Sequence, residues 1–320
     1  MRVVSMGELL IDFVALESGV TVGEASGFQK APGGAPANVA VAIKRLGLES
    51  AFITQVGDDP FGHYLSGVLA DEDIDVSGIR FSQEARTMLA FVSLAQGGER
   101  SFNFYRHPSA DMLLTSDDIA LDVIDSADLF HFGSITLITN PARDATLHAA
   151  SYAREQGKLV SYDPNLRLAL WDNDDAARKG MRLGLEYANI VKISDEEAYL
   201  VLEDGEDVKD LFDKFEQIEL IMLTRGENGC TVYLRDSSEY SHKGYKVTSV
   251  DTTGAGDSFM AGIIVGVLEG LDDNRDFSTI DFESVLKLAN ASGALATTGR
   301  GAIPSLPTRA EVDAFIQSVS

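Results

Sequence analysis

Short apolar runs alternate along the chain with longer stretches in which apolar residues recur every three or four positions. The short runs are typical of buried strands, and the longer period is typical of helices with one buried face. We predict strands at 2–6, 51–56, 129–132, 159–162, 190–193 and 220–224, and helices between most of them, for example at 36–46 and 141–156. Strands spaced by helices indicate an α/β fold with a mostly parallel sheet covered on both faces.

Two segments, residues 9–31 and 86–107, depart from this rhythm and look extended. The turn Gln96-Gly97-Gly98-Glu99 suits a β-hairpin within the second segment. We interpret the two segments as a small sheet that forms a lid, while extra edge strands of the main sheet are the alternative. A few strands with one apolar face must cover a ligand, a partner subunit or both. We therefore expect a homodimer in which two lids pack together.

No repeat, linker or low-complexity stretch divides the chain, so we expect one domain over residues 1–320. Lys and Arg total 26 against 50 Asp and Glu, a formal net charge of -24. Such a surface repels nucleic acid and anionic membranes, and an anionic ligand would need local positive potential. The single cysteine, Cys230, permits no internal disulfide, and no apolar run is long enough to span a bilayer. We expect a cytoplasmic protein.

The sharpest motif is the run Asp-Thr-Thr-Gly-Ala-Gly-Asp at residues 251–257, which is followed by an apolar helix pattern. The amides of Gly254, Ala255 and Gly256 can point into one cavity at a helix N-terminus, an arrangement that binds phosphate. Asp257 then lies in the first helical turn, where it can accept a proton from an attacking hydroxyl group. The alternative is a glycine-rich turn with an ordinary acidic residue at the helix start.

A second motif, Gly-Gly-Ala-Pro-Ala-Asn at residues 33–38, leads into a helix pattern that ends at Gly47. Gly33 and Gly34 would let a ligand approach bare backbone, and Asn38 offers both a donor and an acceptor to sugar hydroxyls. Pro36 suits the first turn of the helix. A simple strand-to-helix turn explains the motif equally well.

Together the two motifs resemble the signatures of the ribokinase-type carbohydrate kinases, the PfkB family, and the likeness extends over residues 3–307. Residues 102–113 and 161–167 are most similar to the fructokinases of that family. The resemblance implies a ribokinase-like three-layer sandwich with a small β-sheet lid. It also implies transfer of a phosphoryl group from ATP to D-fructose, giving fructose 6-phosphate, with Mg²⁺ and K⁺ as cofactors. Kinases for ribose and for 2-keto-3-deoxygluconate share the signature and remain alternatives.

The same resemblance implies a role for each matching residue. Asp257 would be the general base, and the amides of Gly254, Ala255 and Gly256 would hold the transferring phosphoryl group. The residues implied in sugar binding are Asp12, Gly33, Gly34, Asn38, Phe104, Arg106 and Arg167. The residues implied in ATP binding are Lys192, Ser194, Thr224, Gly226, Gly229 and Asn290.

Two metal sites are implied as well. Glu197 matches the family acid that orients Mg²⁺ through water. The residues implied in binding a monovalent cation are Asp251, Thr253, Ala296, Gly299, Gly301 and Ser305. The chain departs from the family pattern at Ser194, where many members have Asn, and at Gly299, where ribokinases have Arg.

Two classes of function compete with a kinase. A sugar-binding regulator that has lost its activity would not need the base at Asp257 or the intact glycine turn beside it. A dinucleotide-dependent oxidoreductase would need G-x-G-x-x-G after the first strand, but Met6-Gly7 leads directly into Glu8-Leu9-Leu10. The chain also lacks the G-x-x-x-x-G-K-[ST] motif of P-loop enzymes.

Overall fold

The computed structural model describes residues 1–94 and 100–319, which fold into two β-sheets and two layers of helices. The strands in these residues are β1 (Arg2–Met6), β2 (Leu10–Ser18), β3 (Phe28–Gly33), β4 (Glu49–Gly57), β5 (Ile79–Ser82), β6 (Leu89–Leu94), β7 (Arg100–Tyr105), β8 (Leu129–Gly133), β9 (Leu159–Asp163), β10 (Ile190–Ser194), β11 (Leu220–Thr224), β12 (Cys230–Leu234) and β13 (Glu239–His242). The α-helices are α1 (Ala35–Arg45), α2 (Pro60–Asp71), α3 (Leu121–Asp125), α4 (Ala142–Glu155), α5 (Asp174–Leu185), α6 (Asp195–Val201), α7 (Leu211–Lys214), α8 (Ala255–Gly270), α9 (Phe282–Ala296), α10 (Ala302–Ser305) and α11 (Arg309–Val319).

The main sheet has the strand order β13-β12-β11-β10-β9-β8-β1-β4-β5. Its pairs are parallel from β5 through β11, and only β12 and β13 run antiparallel to their neighbours. All six predicted strands are present within a residue or two of their expected bounds, and the predicted α/β class is confirmed.

Successive residues of the central strands enter opposite cores, because side chains alternate across a sheet. On β1, Val3 packs beneath α1, α8 and α9, whereas its neighbour Val4 packs on the side of α4 and α5. Both valines are fully buried, as expected for a sheet covered on both faces. The resulting order of layers, helices on a sheet on helices, is the three-layer sandwich that we predicted.

The two irregular segments form a separate sheet of four strands, in the order β3-β2-β6-β7. Strands β6 and β7 pair antiparallel, as a hairpin requires, while the predicted turn at 96–99 lies outside the described residues. The alternative of extra edge strands on the main sheet is therefore wrong. Within residues 1–94 and 100–319, no helix is both long and apolar enough to cross a membrane.

Both motifs open helices at the same edge of the main sheet. Gly34 precedes α1 with φ +116°, and a Cβ at this position would collide with the Glu8 carbonyl, so only glycine fits. Gly254 precedes α8 with φ +81°, in the left-handed region. Strands β1, β8, β9 and β10 also end at this edge, which is where parallel α/β sheets place their ligand sites.

Candidate active site

A cavity of about 510 Å³, the first cavity, lies between the small sheet and the carboxyl edge of the main sheet. The small sheet contributes Asp12 from β2 and the stacked rings of Phe102 and Phe104 from β7. The predicted site residues on its wall are Asp12, Gly34, Asn38, Phe104, Arg167, Lys192, Ser194, Glu197, Thr253, Gly254, Gly256 and Asp257. Residues more than 200 positions apart in the chain thus surround one space, with the small sheet as one side of it.

The carboxylate of Asp257 is held by two amide groups. The Nδ2 of Asn38 donates to Oδ2 at 2.8 Å, and the Nδ2 of Asn165 donates to Oδ1 at 3.0 Å. Burial raises the pKa of Asp257 above the ordinary aspartate value, while these hydrogen bonds and the charges of Arg167 and Lys192 act in the opposite direction. A buried carboxylate with a raised pKa is a stronger proton acceptor than one in water.

The side-chain amide of Asn38 has a hydrogen-bond partner for its nitrogen but none for its oxygen among the described residues. Its Nδ2 binds Asp257, which fixes the amide orientation because a carboxylate only accepts hydrogen bonds. Its Oδ1 is buried and has no hydrogen-bond partner among the described residues. A buried acceptor without a partner costs about 1–3 kcal/mol. A ligand hydroxyl that donates to Oδ1 would remove this cost.

Arg167 connects Asp257 to the small sheet. Its guanidinium donates to Oδ1 of Asn165 at 2.7 Å, and Asn165 in turn donates to Asp257. The same guanidinium lies 5.7 Å from the ring centre of Phe102 on β7. Cation–π contacts at this distance are attractive, so Arg167 spans the cavity between the two sheets.

A buried ion pair lies below the first cavity. The Nζ of Lys192 donates to Asp163 at 2.9 Å, and both side chains are almost fully buried. Burial lowers the pKa of Lys192, but the nearby carboxylates of Asp163 and Glu197 outweigh it and the net shift is upward. Burial raises the pKa of Asp163 to about 6, against the opposing effect of Lys192. Lys192 therefore remains a cation at neutral pH.

Glu197 and Ser194 form the N-terminal cap of α6. The hydroxyl of Ser194 accepts from the Glu197 amide, and the Glu197 carboxylate accepts from the Ser194 amide at 2.8 Å, which makes a capping box. The other carboxylate oxygen of Glu197 accepts from the Leu166 amide at 2.7 Å. Both side chains thus have structural roles, and both also line the first cavity rather than a separate nucleotide pocket.

A second cavity of about 730 Å³ lies on the other side of the α8 N-terminus. The predicted ATP residues on its wall are Lys192, Thr224, Gly226, Gly229 and Asn290. The turn at 226–229 joins the antiparallel strands β11 and β12 as a hairpin. A Cβ on Gly229 would meet the His242 carbonyl, which explains the glycine.

The two cavities share one stretch of wall, formed by Lys192, Thr252 and Gly256. Gly254 lines the first cavity and Ala255 the second, so the glycine turn separates them. The amides of the first turn of a helix lack intrahelical partners and favour negative charge. A phosphoryl group at this junction would meet the α8 amides, Lys192 and the Asp257 side of the first cavity together.

Comparison with known proteins decides the family. A model described as pfkB family carbohydrate kinase matches residues 1–309. This chain belongs to the pfkB family of carbohydrate kinases. The resemblance seen in the two motifs is therefore confirmed.

Relatives of this pfkB family member cover the whole chain. It is 48% identical to a probable fructokinase-2 from Arabidopsis thaliana over an alignment of 323 positions, which covers 98% of this chain and 95% of that protein. It is 32% identical to a fructokinase from Xylella fastidiosa solved with bound ATP, with a TM-score of 0.90 and coverage of 99% and 98%. A double mutant of a Vibrio cholerae fructokinase, solved with fructose, ADP and potassium, is 36% identical, with a TM-score of 0.85 and 98% coverage of each chain.

In this pfkB kinase the residues of the predicted cation site converge beside α8. The Asp251 carboxylate accepts from the Thr253 amide at 2.9 Å and from the Gly301 amide at 3.0 Å. A Cβ on Gly299 would collide with Ser305, so these two residues are adjacent. Ala296 ends α9, where carbonyl groups lack helical partners.

In the described part of the chain, no group of three or more His, Cys, Asp and Glu side chains is arranged to hold a metal.

Arg106 differs from the prediction that it closes over a sugar. It lies just after β7, and its buried guanidinium donates to Asp111 at 3.0 Å and to the Ile135 carbonyl at 3.2 Å. A buried guanidinium requires such partners, because an unpaired charge inside a protein is costly. Arg106 is not among the described residues that line the first cavity, so this arrangement does not support direct sugar binding.

Gly33 also acts differently from the prediction. It is buried in β3 and is absent from the described walls of both cavities. A Cβ at this position would collide with the carboxylate of Asp12. Gly33 therefore makes room for the Asp12 side chain.

Sequence reasoning missed several residues that the structure places in the site. Asn165 donates to Asp257, Lys192 donates to Asp163, and Glu8 is a buried carboxyl on the wall of the first cavity. Asn165 has a φ of +46°, which asparagine tolerates better than most residues. The only sequence signal was position: Glu8 and Asn165 each follow a strand whose carboxyl end lies at the ligand edge.

Proposed function

We propose that this protein is an ATP-dependent fructokinase that converts D-fructose to fructose 6-phosphate within one domain over residues 1–320. The observation that carries the proposal is the junction of the two cavities at the N-terminus of α8, with Asp257 on one side. The fructokinase relatives, which match over almost the whole chain, support the choice of sugar.

We propose that the first cavity binds the sugar and the second binds ATP. A sugar hydroxyl beside Asp257 would lose its proton to that carboxylate, and its oxygen would form a bond to the γ-phosphorus as the bond to the β–γ bridging oxygen breaks. ADP then leaves with the electron pair of that bond. The attacking and leaving oxygens must be roughly in line, and two cavities on opposite sides of the α8 N-terminus suit such a path.

The phosphoryl group is expected at the amides of Gly254, Ala255 and Gly256, with Lys192 as the nearest cation. These groups are fixed before reaction, and fixed dipoles stabilise the charge of the transition state without reorganisation. Mg²⁺, oriented through water by Glu197, would neutralise charge on the phosphates. A potassium ion at Asp251 would stabilise the turn that leads into α8, and a fructokinase solved with potassium supports this assignment.

The charges around the first cavity favour a neutral sugar over a sugar acid. Among the described residues on its wall, Asp12, Glu196, Glu197 and Asp257 are acidic in addition to the protonatable Glu8, and two side chains, Arg167 and Lys192, are basic. Lys192 is paired with Asp163, and Arg106 is paired with Asp111. Among these three basic side chains, a carboxylate ligand would therefore find only Arg167 without a carboxylate partner in the described structure. This supports fructose over 2-keto-3-deoxygluconate, the strongest rival, because Arg106, the arginine expected to suit its carboxylate, is already paired with Asp111.

The outer face of the small sheet supports the homodimer that we propose. Phe13, Phe28, Phe91 and Tyr105 form a cluster of rings on this sheet, and Tyr105 is 64% exposed. Packing two such faces together would remove this apolar surface from water.

The lone buried Cys230 is compatible with the cytoplasmic location that we also propose.

The decisive experiment measures ADP release with purified protein, ATP and Mg²⁺ against fructose, ribose and 2-keto-3-deoxygluconate. We expect the highest kcat/KM with fructose. Fructose analogues that lack one hydroxyl should lose kcat as well as affinity, because unpaired groups in the site misplace the attacking oxygen. A higher kcat/KM with the keto-acid would reject fructose as the substrate and leave the kinase assignment in place.

A further inference from the structure

Glu8 is a buried carboxyl group in the first cavity for which the proposed reaction has no role. It lies in the short link between β1 and β2, and its side chain borders the same space as Asp12, Asn38 and Asp257. Only 2% of the residue is exposed. A carboxyl so deeply buried requires an explanation, because an ionised carboxylate loses its hydration there.

The surroundings of Glu8 do not stabilise a full negative charge. Its Oε1 accepts from the Ala35 amide at 2.9 Å, the first amide of α1, and it makes no ion pair in the described structure. Burial raises the pKa of Glu8 to about 7; backbone amides and Arg167 oppose the shift, and Asp111 adds to it. The charged groups on the elements around it are Asp12 on β2, Asp111 with its partner Arg106, Arg167 after β9 and Asp257 on α8.

We infer that Glu8 is a sugar-binding residue that donates a hydrogen bond to the bound substrate in its protonated form, an inference that rests on the proposed fructokinase function. The protonated acid can donate one hydrogen bond while its carbonyl oxygen keeps the Ala35 amide. It thereby complements Asn38, whose free Oδ1 accepts from a ligand. A neutral polyol offers both a donor and an acceptor at each hydroxyl and can satisfy both residues.

Sugar binding should make Glu8 less acidic still. The sugar displaces water from the cavity, and lost hydration favours the neutral form of a carboxyl group. The pKa of Glu8 is then higher in the complex than in the free enzyme, so binding takes up a proton. Linkage fixes the sign: sugar affinity is greatest below pH 7 and falls as the pH rises above it.

The test compares wild type with Glu8→Gln, which mimics the protonated acid at every pH. Fructose KM is measured from pH 6 to 9 at saturating ATP and Mg²⁺. The wild-type KM should rise about fivefold or more between pH 6.5 and 8.5, with an upper limit of tenfold per pH unit. The KM of Glu8→Gln should change by less than about twofold over this range and match the wild type near pH 6.

Titration calorimetry supplies a measurement that needs no variant. Fructose is titrated into wild type with AMP-PNP and Mg²⁺ at pH 7.5, in two buffers of different ionisation enthalpy. Net uptake of protons is expected in wild type, and its loss in Glu8→Gln. Glu155→Gln, which removes an exposed carboxyl on α4, is the matched control and should behave as wild type.

Two outcomes would overturn the inference. If wild type phosphorylates fructose but takes up no proton on binding it, Glu8 is not the titrating donor. Equal pH profiles of KM in wild type and Glu8→Gln would also show that Glu8 is not the titrating donor. Absence of fructose-dependent ADP release from wild type would instead refute the proposed function, and this inference with it.

Discussion

Replacing Asp257 with asparagine is the sharpest test of the proposed mechanism. The change keeps the size and polarity of the side chain but removes the group that accepts the proton from the sugar. General base catalysis contributes about 10²- to 10⁴-fold to rate. We therefore expect kcat to fall at least about 100-fold, which corresponds to roughly 2.7 kcal/mol of transition-state stabilisation.

The structure also limits what else this substitution can change. Two amide groups, from Asn38 and Asn165, now donate to the carboxylate, and an asparagine offers only one acceptor oxygen to them. Loss of one such bond to a charged group costs about 1.5–3 kcal/mol. Against this, the raised pKa means that ionised Asp257 costs stability at neutral pH, a cost that asparagine removes. The melting temperature should therefore stay close to that of wild type.

The assay is coupled ADP release with fructose, together with ATP binding by titration calorimetry in the absence of sugar. ATP affinity should change little, because the α8 amides are intact. Asn165→Ala, which removes one hydrogen bond to the carboxylate but leaves the base, is the matched variant and should lose less activity. Near-normal turnover of Asp257→Asn with wild-type ATP affinity would refute Asp257 as the base.

Three further predictions concern pH, ions and assembly. The kcat of wild type should fall on the acid side at a pH above 3.8, because burial raises the pKa of Asp257 and only the ionised form accepts a proton; an acid limit at or below 3.8 would contradict this. Mg²⁺ should be obligatory, and K⁺ should raise kcat above an equal concentration of Na⁺; Asp251→Ala should abolish that difference, and equal rates in the two salts would reject the potassium site. Light scattering at micromolar concentration should give a dimer, and Tyr105→Glu in the exposed face should shift it to monomer; a monomeric wild type would reject lid-to-lid packing.

Much of the fold could be predicted because its signals are local. The strands of the main sheet are continuous apolar runs, since both faces of the sheet are covered, and such runs stand out from the helices between them. The small sheet was recognisable for the opposite reason. Its strands alternate, with Leu10 and Asp12 facing the first cavity and Phe13 facing away. The pairing of β2 with the distant β6 is parallel, and nothing in the local sequence specified it.

The glycines were the part of the candidate site that could be predicted most directly, because the backbone itself requires them. Gly34 and Gly254 have positive φ at helix starts, a requirement that leaves a visible glycine in the sequence. The sequence does not show in the same way which side chains will pair with each other. Arg106 was assigned to the sugar, but the structure pairs it with Asp111 five residues later, and sequence alone could not show which of the two partners it meets.

The acidity of the chain explains how the positive charges near the site are arranged. A protein of formal charge -24 repels ATP over most of its surface, so attraction must come from groups very close to the phosphates. Lys192 is such a group, but free in a cavity it would also attract a sugar acid. Its pairing with Asp163 keeps it charged and fixed, while the α8 amides add positive potential without a mobile cation. In the proposed mechanism, the junction would thus bind phosphate while the first cavity would favour neutral sugars.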